Sequence, residues 1–517
     1  MSKDKFLHGA LVLTAAGLMV KIIGSVNRIL LSRLLGGEGI GLYQMAYPVY
    51  LLLLSISSAG IPIAISILVS ERVAKNEYRS VRHVFSTSIK MMAGVGLVLA
   101  ILLYLAAGWS VSTGIVRDPR AYYALIALTP AIFFASILAC FRGFFQGWQL
   151  MTPPAVSQIV EQFVRVCTMI VLAYLLLPHG LEYAAAGAAF GAVPGSLTGI
   201  LVLGYFYKKY NKSWREKENL LPVDTPLEST SKLIKRMLLL ALPVSLANVM
   251  VPVSSSVDML IVPNRLVDVG YSIKEATTLF GYLAGMAQPL IMMATIPTLS
   301  LAASLVPAIS EAFTLKDFDI VCEKSSTAMK LCCLITVPAA VGMVTLATPI
   351  SVLLYGTAKA ATAICHSGPS IWLLGMQQIT AGVLQGTGNI NLPMIHMVIG
   401  IIVKIFAVYF LTDATLNIVG AAWATNISFA LIAFLNIWAL SKLGIKFKYG
   451  AIMKIVLAAI SMGIFCYVVE PMVLGAKLLT VLAVVMAGVI YVVMLCLLGV
   501  LNKEEASKLP ILKKFIK

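Results

Sequence analysis

The chain has 517 residues, 60% of them hydrophobic and only 12% charged, with a mean hydropathy of +0.94. Soluble globular proteins carry about 25% charged residues, so a soluble enzyme, a nucleic-acid binder and a disordered chain are all excluded. The 39 Lys+Arg against 22 Asp+Glu leave a net charge of +17. In so apolar a chain that excess reads as membrane orientation, because cytoplasmic loops collect Lys and Arg.

A bilayer core about 30 Å thick takes about 20 apolar residues per helix. Fourteen such stretches follow one another: 8–35, 40–70, 83–108, 121–147, 153–177, 183–208, 233–262, 279–311, 323–347, 358–386, 391–411, 417–440, 450–470 and 474–500. Their apolar runs are long and continuous, without the ten-residue alternation of a membrane barrel. Lys3 and Lys5 before the first run resemble a signal peptide. The run continues past Lys21 to Leu35 without a small-residue cleavage site, and reads as a retained first helix.

With the N-terminus placed in the cytoplasm, 27 Lys+Arg fall in cytoplasmic segments, 7 in outer loops and five within helices. This asymmetry predicts a multi-pass protein of the cell membrane with both termini cytoplasmic. The most basic connection, Lys208 to Arg236, also holds Pro222, Asp224 and Pro226, and reads as a linker between two halves. An internal repeat agrees. Phe145-Gln146-Gly147 recurs as Leu384-Gln385-Gly386, and the same offset carries Pro154 to Pro393 and Arg165 to Lys404. One residue further on, Ser70-Glu71 recurs as Ser310-Glu311, and Gly41 as Gly281. The expected fold is therefore an all-α membrane protein with fourteen transmembrane helices. It comprises a six-helix lobe (1–208), a cytoplasmic linker (209–232), a second six-helix lobe (233–441), and a C-terminal helix pair with a basic tail (442–517). Such repeat interfaces hold the substrate in many transporters.

Charge inside a membrane helix costs at least about 2.5 kcal/mol and marks pairing or function. Lys21 and Arg28, seven residues apart, share a face of the first helix with Gly24 and Ser25 between them. No acid on that helix neutralises them. They read as a stripe for an anionic group, or as snorkelling bases paired with another helix; Lys90 reads as snorkelling. On the fifth stretch Gln158, Glu161, Gln162 and Arg165 form a polar face, with Glu161 and Arg165 spaced for an ion pair. That pair suits a cavity wall and a structural brace equally. On the related eleventh stretch His396, Gly400 and Lys404 share a face, and Gly400 replaces the acid. Glu71 and Glu311 end the second and eighth stretches and are gate candidates, against a chance duplication of Ser-Glu. Breakers gather on the second, seventh and eighth stretches: Pro48, Gly60, Pro62; Pro243, Pro252, Pro263; Pro289, Pro297, Pro307. They permit bending during transport or static kinks.

Catalytic, metal and cofactor signals are missing: no Walker lysine loop, no H-E-x-x-H and no acidic pair at metal spacing. The eight cysteines include no C-x-x-C pair and read as apolar filler.

Three strings then resemble one superfamily. They are Lys21-Ile22-Ile23-Gly24-Ser25-Val26-Asn27-Arg28-Ile29-Leu30-Leu31-Ser32-Arg33-Leu34-Leu35-Gly36, Gly39-Ile40-Gly41-Leu42-Tyr43-Gln44 and Phe144-Phe145-Gln146-Gly147. With the two six-helix halves they look like the multidrug/oligosaccharidyl-lipid/polysaccharide exporter superfamily. The likeness is to its polysaccharide-transport branch, and within it to the stage V sporulation protein B group of spore-forming Firmicutes. The resemblance covers nearly the whole chain. It implies a flippase, not an enzyme, for undecaprenyl-pyrophosphate-linked glycans, with peptidoglycan precursor for the spore cortex as cargo. Two lobes would rock around a cationic cavity. The related lipid II flippases hold the polyprenyl tail with helices 13 and 14. They carry Arg, Gly, Arg and Asp on the first helix. Here Lys21 and Gly24 match the first two, Asn27 stands at the second Arg and Arg28 at the Asp. Helix 2, with Leu51-Leu52-Leu53-Leu54, lacks their arginine. These departures bear on the headgroup.

Lys21 and Arg28 are thus expected to contact the pyrophosphate, with Lys404 and Arg165 extending the cationic surface. The expected partners are a lipid-linked oligosaccharide and membrane lipid, with no nucleic acid; the coupling ion is not specified. Three alternatives stand beside this reading. One is a cation-coupled multidrug exporter, which would hold cationic drugs with buried acids. Another is a membrane glycosyltransferase or polymerase, which needs an acidic residue beside a large outer loop. The longest outer loop, 263–278, holds only Asp268 and Glu275. The third is a non-transporting assembly partner.

Overall fold

The computed structural model describes residues 3–58, 60–220 and 227–500. Pro222, Asp224 and Pro226 of the linker and the basic tail 501–517 lie outside the described residues. The described chain is helical throughout, with no strand, and is a multi-span membrane protein. Eleven helices are long and apolar enough to cross a membrane, or twelve when a bent pair counts as one span. All fourteen apolar stretches lie on helix. The smaller number arises because the first two stretches form one run, Val12–Ala74, and the tenth is divided at Gly368 into helices of 7 and 18 residues.

Two compact units divide after Gly281. The first holds α1 (Lys3–Ser58), α2 (Ile61–Ala74), α3 (Tyr78–Ser112), α4 (Ala121–Gly147), α5 (Thr152–Leu176), α6 (Leu181–Phe190), α7 (Ala192–Leu220), α8 (Thr230–Asp268) and α9 (Ile273–Phe280). The second holds α10 (Gln288–Ala294), α11 (Ile296–Thr314), α12 (Phe318–Thr345), α13 (Ala347–Tyr355), α14 (Ala361–Ser367), α15 (Pro369–Gly386), α16 (Asn391–Leu411), α17 (Asn417–Lys442), α18 (Gly450–Val473) and α19 (Lys477–Leu497). The π-helical turns of Gly281–Ala287 join them. The boundary thus falls beyond the 209–232 linker, and α8 and α9 pack on α1, α2 and α3.

Lipid is as apolar as leucine, so membrane helices associate by close packing over small residues more than by the hydrophobic effect. The repeat is visible in that packing. A Cβ at Gly147 of α4 would lie 2.6 Å from Val69 Cβ and 2.9 Å from Ser66 O on α2. A Cβ at Gly386 of α15 would lie 2.7 Å from Ile309 Cβ and 2.9 Å from Val306 O on α11. The turns after these helices match as well. Asn76 and Lys316 take φ of 58° and 57°, and Gln149 and Gly388 take 58° and 83°. Each unit therefore builds the same glycine-to-helix contact at equivalent positions.

Of the expected breakers, Pro48 and Pro307 lie inside α1 and α11, while others stand where helices begin. Gly36 (φ 66°) kinks α1 in the left-handed region that glycine tolerates. Pro62, Pro289 and Pro297 sit in the first turns of α2, α10 and α11, where a missing N–H costs nothing. α8 bends by 49° between Thr230–Leu246 and Asn248–Asp268. Beside that bend, the Gly60 amide that opens α2 donates to Ser245 Oγ at 3.1 Å.

Candidate functional site

The charged groups embedded in the first unit meet on α1, α4 and α5. Gly24 makes the approach possible, since a Cβ there would sit 3.2 Å from Gln162 Nε2 on α5. Lys21 is exposed, and Ser25 Oγ donates back to its carbonyl at 3.0 Å. The Arg28 guanidinium lies 5.2 Å from the ring centre of Tyr47. A straight helix would hold residues 28 and 47 about 28 Å apart, so this contact follows from the fold-back at Gly36. Tyr43, Tyr47 and Tyr50 continue the surface as a ladder, with ring centres 5.3 and 6.0 Å apart. Tyr43 stands within electrostatic reach of both Arg28 and Arg165. Among the described residues neither Lys21 nor Arg28 makes an ion pair, while Asn27 is buried and donates to Met169 Sδ at 3.4 Å.

Glu161 and Arg165 form the expected i, i+4 pair on α5, with Arg165 Nη2 donating to Oε1 at 2.6 Å. The sequence reading missed the third member. Arg142, near the end of α4, donates to Glu161 Oε2 at 2.5 Å and from its Nε to Ser157 Oγ at 3.4 Å. Two guanidiniums around one carboxylate leave this group one positive charge in excess. α5 is locked in place from behind: Gly191 and Gly195 abut the Arg165 carbonyl and the Glu161 carbonyl, leaving no room for side chains.

The second unit holds Lys404 separately. It is 3% exposed on α16, which packs on α17. Gly400 has a packing reason beyond the lack of an acid: a Cβ there would lie 2.4 Å from Ile432 Cγ1. His396 belongs to a buried polar chain. Thr380 Oγ1 donates to the Met376 carbonyl at 2.8 Å and accepts from Asn436 Nδ2 at 3.1 Å, so Asn436 Oδ1 accepts from His396 Nδ1 at 2.7 Å.

The two gate candidates differ. Glu71 accepts from Arg236 of α8 at 2.6 Å and pairs with Lys75 at 3.5 Å. Beside it, buried Arg72 reaches Glu228 at 2.5 Å. Glu311 is exposed and makes no ion pair among the described residues. At the opposite end of the first unit lies a network the sequence did not single out. Arg120 donates to Asp118 and Glu38, and the Thr277 hydroxyl donates to Asp118 at 2.8 Å. These acceptors hold the Arg120 guanidinium even further above its ordinary value. Lys90 is exposed on α3. Among the described residues no three His, Cys, Asp or Glu side chains converge as a metal set.

The family model described as polysaccharide biosynthesis protein matches residues 6–313. The chain is 31% identical over 525 residues to stage V sporulation protein B of Bacillus subtilis (strain 168), covering 100% of both. It is 27% identical over 541 residues to the lipid II flippase MurJ of the same strain, covering 98% of each. Among solved structures, lipid II flippase MurJ in an inward closed conformation matches with a TM-score of 0.70 at 17% identity, over 94% of this chain and 98% of that one. That likeness establishes the fold. The chain belongs to the polysaccharide biosynthesis protein family and has the fold of a membrane transporter.

Proposed function

We propose that the chain is a flippase that moves undecaprenyl-pyrophosphate-linked glycans from the inner to the outer leaflet by alternating access. The cargo is peptidoglycan precursor for a spore cortex, and both termini face the cytoplasm. The observation that carries the reading is the cationic surface on α1, α4 and α5, with Lys21 and Arg28 free of ion pairs among the described residues and a net positive Arg142–Glu161–Arg165 group. A diphosphate is doubly costly to bring into a bilayer, and fixed cations with a stacking tyrosine ladder offset that cost. Full-length likeness to stage V sporulation protein B and to a lipid II flippase supports the same cargo class. In this reading Lys21 and Arg28 contact the pyrophosphate, and Arg165 extends the surface. Lys404, 3% exposed on α16, is the second unit's candidate for the same role. Glu71 and Glu311 serve as gates, Glu71 by exchanging its Arg236 contact. A cation-coupled drug exporter would need buried acids facing the cavity; here Glu161 is claimed by two arginines.

Native mass spectrometry with added lipid II tests the reading. The wild type should retain the lipid and the Lys21→Ala/Arg28→Ala variant should lose it. Retention by both would move the site elsewhere. Binding of a cationic dye with no lipid retention would favour the drug exporter.

A further inference from the structure

The Arg142–Glu161–Arg165 group is built unlike a simple brace. Glu161 gives one oxygen to each arginine, Oε2 to Arg142 at 2.5 Å and Oε1 to Arg165 at 2.6 Å. Oxygens of a single anion shared between two guanidiniums are also the geometry in which a phosphate or diphosphate sits between arginines. A brace that only holds helices together is best balanced or apolar, because an uncompensated charge in a low-dielectric interior is destabilising. This one keeps an excess cation. It is also reachable, with side-chain exposures of 21% for Arg142, 13% for Glu161 and 17% for Arg165. One donor remains beside it: Arg165 Nε is buried without a hydrogen-bond partner, next to the Tyr50 hydroxyl that the same arginine approaches. Of the neighbouring surfaces, α1 also brings Arg28, which lies over Tyr47 and within electrostatic reach of Tyr43. α7 presents Gly195 and Gly199, Gly191 precedes it, and α1 presents tyrosines.

We propose that Glu161 is a built-in stand-in for the anionic headgroup. It occupies Arg142 and Arg165 while the site is empty, and the incoming diphosphate displaces it. On leaving, the ligand is replaced by the carboxylate, so the arginines never stand bare and release is not blocked by an overly tight site. Glu161 is thus a positioning residue that sets affinity downward. A transported ligand must bind well enough to enter and weakly enough to leave. The inference rests on the diphosphate-lipid reading above.

The test is retention of undecaprenyl diphosphate by the full-length protein in native mass spectrometry, with undecaprenol as the uncharged control. Four proteins are compared: wild type, Glu161→Gln, Arg142→Gln and Arg142→Gln/Glu161→Gln. Removing Glu161 should tighten binding about tenfold, the size of one charge-assisted hydrogen bond. It should do so in both backgrounds. The double variant carries the same net charge as the wild type, so it keeps the comparison valid if Glu161→Gln alone fails to fold. Retention by the wild type with equal or weaker binding after Glu161 is removed overturns the inference alone. No retention by any of the four overturns the headgroup reading and the inference with it.

Discussion

Gly281 packs directly on Gly41, its counterpart in the repeat: a Cβ at Gly281 would lie 2.8 Å from the Gly41 amide nitrogen and 1.9 Å from the Gly37 carbonyl oxygen. The reciprocal contact is as close, since a Cβ at Gly41 would lie 2.1 Å from the Thr277 carbonyl oxygen. Residues 37 and 277 share the spacing of 41 and 281, so repeat-related segments of α1 and α9 cross backbone to backbone. The Asp118–Thr277 hydrogen bond and the Arg120–Glu38 pair reinforce that seam.

Gly281→Ala is expected to open or destabilise this seam, because the obstructing atoms are backbone and cannot rotate away. Overpacking of this kind costs about 1–3 kcal/mol. Thermal unfolding in detergent should show a lowered midpoint, and a cysteine at Thr278 should label faster. An unchanged midpoint with unchanged labelling would show that the seam is not closed by this contact.

Arg72 and Glu71 adjoin in sequence but should differ in weight. The Arg72–Glu228 pair has side-chain exposures of 8% and 19%, against 42% and 33% for Arg236–Glu71. Arg72→Ala should therefore cost about 1.5–3 kcal/mol, the range for buried charged hydrogen bonds. Glu71→Gln should cost less than about 1 kcal/mol, as exposed pairs do, and its effect should fade in salt. Denaturation at two salt concentrations separates them, and equal costs would contradict the burial argument.

Asn436→Ala should destabilise the second unit by about 1–3 kcal/mol, because it strands His396 Nδ1 and removes the donor to Thr380 Oγ1. Thermal unfolding measures it. A neutral effect would mean that water replaces the amide.

Glu275 closes a capping box at the start of α9: Ser272 Oγ accepts from the Glu275 amide at 3.2 Å, and the carboxylate accepts from the Ser272 amide at 3.0 Å. The Ser272 hydroxyl, donating to the carboxylate at 2.7 Å, and then the Ser272 amide hold the Glu275 carboxyl below its ordinary value. Its support for the helix start is therefore present above the unfolded value, about 4.3, and is lost as pH falls through the lower folded value. Amide exchange at Glu275, corrected for intrinsic rates, should be constant from neutral pH down to about 5 and accelerate below about 4. Exchange independent of acid would contradict the box.

Helices, the kinds of break and the repeat were legible in the chain because apolar length, proline and recurring glycines are properties of sequence alone. The Glu161–Arg165 pair was legible for the same reason, since its spacing lies on one helix. Arg142 was not. It stands near the end of α4, where a base reads as belonging to the connection that follows. Only the packing of α4 beside α5 brings it to Glu161. One signal was available: Arg142 falls inside the fourth apolar stretch, not beyond it. The tyrosine ladder was hidden similarly, because the fold-back at Gly36 pairs Arg28 with Tyr47. Gly400 carries a second meaning that only the packing reveals. It stands where the fifth stretch has an acid, and its small size also admits Ile432. The attachment of α8 to the first unit was also unreadable, since linker composition marks where a chain is solvated and not which neighbours a helix chooses.

The most direct measurement is lipid flipping in proteoliposomes, using a fluorescent undecaprenyl-diphosphate glycan and an impermeant quencher. The wild type should move the lipid at least about tenfold faster than protein-free vesicles, and Arg28→Ala, reconstituted to the same level, should fall to the protein-free rate. Wild-type movement no faster than bare vesicles, or an Arg28→Ala rate equal to the wild type, would contradict the account.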